Sequence, residues 1–151
     1  MASENQHPFS AAVRCSQQYQ VGEEITCQFD ITNQDTIDYY LLKWQTPLEG
    51  MMAPYLSVSK DGQPLIYRGK MFKRGKPQAG DYIFIKAGET VSNKVDISIG
   101  YDLSEPGVCN IVLDTSMQYQ TTAPGGTQAS EEKWQSLVSP GVQIELTAAK
   151  N

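Results

Sequence analysis

Between Ile25 and Ile31 apolar and polar residues alternate one for one. Ile25, Cys27, Phe29 and Ile31 fall on one side, and Thr26, Gln28 and Asp30 on the other. Successive side chains of a strand point to opposite faces, so this spacing fits a half-buried β-strand and not a helical stripe. The same period returns along the chain. Phe9, Ala11, Val13 and Cys15 share a face, as do Tyr40, Leu42 and Trp44 over 38–45, Cys109, Ile111 and Leu113 over 108–119, and Val142, Ile144 and Leu146 near the end.

Turn residues punctuate these runs. Residues 19–23 link the first two strands as a hairpin, and Asn33-Gln34-Asp35 is a polar turn. Asp61-Gly62 sits between runs at 55–60 and 63–68. That pair is a two-residue hairpin signal, because both central positions want positive φ. Ala87-Gly88-Glu89 separates 82–86 from 90–99. Only 129–138 reads as a helix, with Ser130 as cap, Glu131 and Glu132 in the first turn, and Trp134, Leu137 and Val138 on one face. The expectation is an all-β, immunoglobulin-like antiparallel β-sandwich of about 7–9 strands with one short helix before the last strand. The 151 residues, 40% hydrophobic, suit one domain over 1–151, with 1–8 a flexible leader and 121–140 a loop plus the short helix.

Composition excludes several kinds of chemistry. There is a single histidine, His7, in the polar leader. Zinc hydrolases need several imidazole or thiolate ligands at fixed spacing, and Ser-His or Cys-His catalysis would have to use that one residue. No G-x-x-x-x-G-K-[ST] or G-x-G-x-x-G run occurs, and adjacent acids such as Glu23-Glu24 read as solvated surface. The expectation is no enzyme, no metal and no cofactor. Seventeen acids against twelve bases give a net charge of -5, which argues against a nucleic-acid partner. No apolar run approaches the roughly 18 residues of a membrane helix, and residues 1–10 contain no signal-peptide core. That places the chain in the cytoplasm as the sequence stands, or outside the cell if a leader was removed.

The three cysteines, Cys15, Cys27 and Cys109, all fall on inward faces. Cys15 and Cys27 are equidistant from the centre of their hairpin and suit a cross-strand bridge. Cys27, Trp44 and Cys109 follow the Cys…Trp…Cys order of immunoglobulin sandwiches, which suits a Cys27–Cys109 bridge. Three buried thiols acting as small hydrophobes are the remaining alternative.

Five of the twelve bases, Arg68, Lys70, Lys73, Arg74 and Lys76, fall within nine residues that contain no acid. Gly69, Gly75, Pro77 and Gly80 make this stretch a loop, with Phe72 expected to tuck into the core edge. The rest of the chain carries seven bases and seventeen acids. A positive loop on an acidic body either steers an acidic partner or simply balances the body's charge. Met51 and Met52, in the loop 47–54, offer adaptable apolar contact.

Several segments resemble a known family. They are Gly22-Glu23-Glu24-Ile25-Thr26 through Ile31-Thr32-Asn33, the stretch 56–74 with Tyr67 and Gly69, Ile85-Lys86-Ala87-Gly88-Glu89, and Tyr101-Asp102-Leu103-Ser104 leading to Gly107. In order and spacing they resemble the immunoglobulin-like N-terminal domain that precedes the catalytic domain of deuterolysin and peptidyl-Lys metalloendopeptidases, the aspzincins. Cys109 stands where that family carries an aromatic residue after the glycine. The family's zinc-binding half has no counterpart here, so the resemblance implies no catalytic residue. A similar strand order occurs in small bacterial intracellular proteinase inhibitors. The expected function is a non-catalytic recognition module, a protease inhibitor or protease-associated regulatory domain, whose binding residues are Arg68, Lys70, Phe72, Lys73, Arg74, Lys76, Met51 and Met52. The partner is then a protein, a protease in the first instance. A carbohydrate-binding module that takes a glycan through exposed tyrosines is the alternative, followed by a secreted toxin or adhesin subunit.

Overall fold

The computed structural model describes residues 7–124 and 132–149. Eleven strands occur among them. They are β1 (Phe9–Arg14), β2 (Gln18–Gln20), β3 (Thr26–Asn33), β4 (Tyr39–Leu42), β5 (Leu56–Lys60), β6 (Gln63–Pro64), β7 (Tyr82–Ile85), β8 (Thr90–Asp96), β9 (Gly107–Gln120), β10 (Lys133–Val138) and β11 (Val142–Thr147). Three single 3-10 turns are the helical content of the described residues.

The strands form a β-sandwich. The smaller sheet runs β1-β3-β8, and the larger holds the other eight strands around β9. β9 spans fourteen residues, long enough to need different neighbours along its length. Its first half lies between β5 and β11, and its second half between β4 and β10. The alternating residues Cys109, Ile111, Leu113 and Met117 of β9 meet Cys27, Phe29 and Ile31 of β3 in a core from which water is excluded. Phe9, Tyr39 and Tyr119 close one end of that core, ring centroids 5.3–5.6 Å apart.

The alternation in β1, β3, β9 and β11 appears as read. The Asp61-Gly62 turn also forms, with φ of 49° and 82°. The hairpin of 9–32 is only half correct. β1 and β3 pair antiparallel in register, but the connection between them leaves their sheet. On the way, β2 pairs parallel to β11 in the larger sheet, so the sandwich is not purely antiparallel.

Other expectations are corrected. Lys133–Val138 is a strand, not the end of a helix. Trp134, Leu137 and Val138 have helical spacing and do not alternate, but pairing with the second half of β9 makes the run a strand. Gln135 and Leu137 point inward while Trp134 and Val138 face solvent. Ser130, with the rest of the proposed helix start at 129–131, lies outside the described residues. In β4 Tyr39 and Leu41 join the core, one position out of phase with Tyr40, Leu42 and Trp44, although Leu42 is buried too, on the opposite face. Tyr-Tyr-Leu-Leu has no alternation of its own, and pairing with β7 and β9 sets the phase. Beyond Asp61-Gly62 the strand ends at Pro64, short of the expected 63–68, and one further backbone bond, Leu65 N–H to Val58 O, ties the chain to β5. Of the expected leader, Pro8 is buried and its carbonyl accepts from Gln34 N–H, whereas 1–6 lie outside the described residues.

Cys15 and Cys27 form the disulfide, and Cys109 is a buried free thiol. This excludes the Cys27–Cys109 bridge. Cys27 and Cys109 lie on opposing sheets, but the in-register pairing of β1 and β3 brings Cys15 beside Cys27, with Cα atoms 4.4 Å apart. Burial pushes the Cys109 thiol above its ordinary pKa, against a weaker opposing pull from Lys60.

Candidate functional site

The basic stretch is a loop, as its glycines imply, and its root is tied down. Leu65 N–H donates to Val58 O, and Arg68 N–H donates to Gly100 O, each at 2.8 Å. Tyr67 packs against Tyr101, centroids 5.6 Å apart, and its hydroxyl donates to Lys70 O. The chain folds so closely over this ring that a Cβ at position 69 would come within 2.5 Å of the Tyr67 oxygen, which is why a glycine is there.

Further along, Arg74 turns back to the body. Its Nη2 donates to Glu49 Oε1. Its guanidinium carbon lies 4.9 Å from the centre of the Trp44 ring and 5.1 Å from that of Phe72. A planar guanidinium can pair with a carboxylate and stack on rings together, so Arg74 acts as a clasp between the loop and the turn Pro47–Glu49. Phe72 does not tuck into the core edge. It is 51% exposed and covers Arg74 from outside.

The clasp leaves a cleft of about 220 Å³ between two loops. Met52, Ala53 and Pro54 form one wall, Met71, Phe72 and Arg74 the other, and Gln45 and Thr115 the floor. Met52 thus joins Phe72 and Arg74, whereas Met51 is buried against Gly100 as part of the core. Arg68 lies 3.7 Å from Asp102 in an exposed pair. Lys70, Lys73 and Lys76 are exposed and make no ion pair among the described residues. The sequence groups these bases correctly. It does not reveal that Arg74 is engaged, because Trp44 and Glu49 come from 25–30 positions away and reach it only through the fold.

A second feature lies on the outer face of the larger sheet. Phe84 and Tyr40 are cross-strand partners with ring centroids 4.9 Å apart. Tyr40 is also opposite Gln120, and two residues along β9 Gln118 is opposite Trp134. The register therefore sets Phe84, Tyr40, Gln120, Gln118 and Trp134 on one face, with Phe84 and Trp134 exposed and both glutamines buried between them. Reading β4 out of phase and 133–138 as helix concealed this row.

His7 is exposed at the rim of another cleft, beside Asp35, Tyr39, Tyr119 and Lys133. Burial, helped by the hydrogen bond to Asp35, pushes the Tyr39 hydroxyl far above its ordinary range, so this phenol stays protonated. Among the described residues no group of three or more His, Cys, Asp or Glu is placed to hold a metal ion, and no helix is long and apolar enough to cross a membrane.

No family model matches the chain. Over 131 residues, 85% of its length, the chain is 34% identical to a protein described as an extracellular protease from Aeromonas hydrophila. The match spans only 38% of that relative, so this chain corresponds to a minor part of a longer protein.

Proposed function

We propose that this chain is a non-catalytic β-sandwich recognition module, secreted with or beside an extracellular protease and regulating it by contact, as an inhibitor or an associated domain. The observation that carries this is the partial match: 85% of the chain aligns with 38% of a protease. A chain with one histidine lacks the imidazole set of a zinc protease, which supports placing catalysis in the remainder of such a protein. The aspzincin resemblance of 20–115 leads to the same division of labour. The Cys15–Cys27 disulfide supports an oxidising compartment outside the cytoplasm.

The test is titration of the purified chain against the bacterial relative from which the matching stretch has been removed, followed by casein hydrolysis and calorimetry. Saturable 1:1 association with a changed hydrolysis rate is expected. Casein cleavage by this chain alone, or no heat of association up to about 0.1 mM, overturns the reading.

A second reading, glycan binding, is favoured by the outer-face row, because the exposed rings of Phe84 and Trp134 suit the apolar faces of sugars. A glycan array compares wild type with Trp134→Ala.

A further inference from the structure

We propose that the cleft between the 51–54 turn and the 71–74 loop docks an extended acidic stretch of a partner protein, inserting one apolar side chain. Where that partner is a protease this deepens the reading above.

The cleft's size speaks first. At about 220 Å³ it is below the range of cofactor pockets but holds one or two side chains. Its upper lining is thioether and aromatic, from Met52, Met71 and Phe72, surfaces that adapt to an inserted aliphatic group. Met71 is 73% exposed although apolar, and nothing in the described fold covers it.

Charge names the occupant. Lys70, Lys73 and Lys76 do not line the cleft, but they lie in the same exposed loop as its lining residues Met71, Phe72 and Arg74. They make no ion pair among the described residues, and residues 68–76 contain no acid. Arg74 adds little attraction because Glu49 already answers it. Instead it ties the loop wall to the turn Pro47–Glu49, which lowers the ordering cost of binding. Three exposed lysines in the loop that borders an apolar slot complement a segment of acids around one aliphatic residue.

The test is fluorescence anisotropy with a fluorescein-labelled peptide of Asp and Glu around a central Leu. A sequence-matched lysine peptide and a sulfated heparin octasaccharide run in parallel, with sedimentation of the protein alone. Saturable binding of the acidic peptide is expected, weakening at least about tenfold between about 0.02 and 0.3 M salt. That arm needs no variant. Lys70→Ser with Lys73→Ser and Lys76→Ser should reproduce the loss at low salt and flatten the salt dependence. Met71→Ser with Phe72→Ser should weaken binding and leave the salt slope intact.

No saturation by the wild-type chain overturns the proposal, as does binding that the lysine changes leave untouched. Capture of the octasaccharide but not the peptide overturns it in favour of a sulfated glycan. A lysine-dependent dimer in sedimentation makes the occupant a second copy of this chain. The peptide assay contains no protease, so its failure leaves the protease reading standing, and failure of the protease titration leaves this one.

Discussion

At the scale of single residues, the most constrained polar group is Asp30. It lies on the side of β3 opposite the core, yet it is only 6% exposed. Arg14 Nε donates to its Oδ2 at 2.9 Å, while Gln28 and Ser92 donate to Oδ1 at 3.0 and 2.6 Å. Burial by itself would raise this carboxyl. The hydrogen bonds from Gln28, Ser92 and Arg14, with the guanidinium charge, hold it below its usual value instead. A carboxyl lowered on folding stabilises the native state above its unfolded pKa, and that contribution disappears as pH falls through the folded value. Asp30→Asn should therefore lower stability by about 1–2 kcal/mol at neutral pH, discounted because Arg14 is largely exposed. Urea midpoints measured downwards from pH 7 check this, and the gap from wild type should narrow below about pH 4. A gap that stays constant to the lowest pH would show that the charge contributes nothing.

At the scale of elements, β10 explains how the sheets meet at the open end. Its Gln135 is buried and uses both ends of its amide on β1. Oε1 accepts from Phe9 N–H at 3.2 Å, and Nε2 donates to Phe9 O at 2.8 Å. One side chain thus satisfies the backbone groups of a neighbouring strand with which β10 has no ladder. Gln135→Leu keeps the volume and removes both bonds, leaving a buried donor and acceptor on β1. The expected cost is about 2–3 kcal/mol, read as a lower urea midpoint at unchanged slope, with faster amide exchange at Phe9. Were 133–138 a helix in solution, the substitution would not touch exchange at Phe9.

For the whole molecule, the disulfide matters through what lies inside its loop. Cys15 and Cys27 are twelve positions apart, and between them the chain crosses to the larger sheet, forms β2 beside β11 and returns as β3. The bridge therefore closes an excursion that joins the two sheets. In the chain-entropy picture, a loop of this size contributes about 3 kcal/mol. Cys15→Ser with Cys27→Ser should lose about 2–3 kcal/mol by denaturant titration while Cys109 stays buried. A loss below about 0.5 kcal/mol would mean that β2 and β11 hold the excursion without it.

The sequence by itself determined the chemistry of the faces. Where apolar and polar residues alternate strictly, as in 25–31, strand and inward side were both legible, because a period of two admits only one burial. Asp61-Gly62 was legible because its conformation is local. The basic cluster at 68–76 was legible as a group because its members are sequence neighbours. The tertiary structure decided whatever depends on a partner distant in the chain. Tyr-Tyr-Leu-Leu in β4 carries apolar surface on both sides, so only its ladders fix which side is buried. Lys133–Val138 has the apolar spacing of a helix, and pairing with β9 overrides it to make a strand. Cys27 had two geometrically reasonable partners, and the register of β1 against β3 chose Cys15. Arg74 differs from the lysines around it only because the fold brings Trp44 and Glu49 to it, turning one of five apparent recognition charges into the clasp that shapes the cleft.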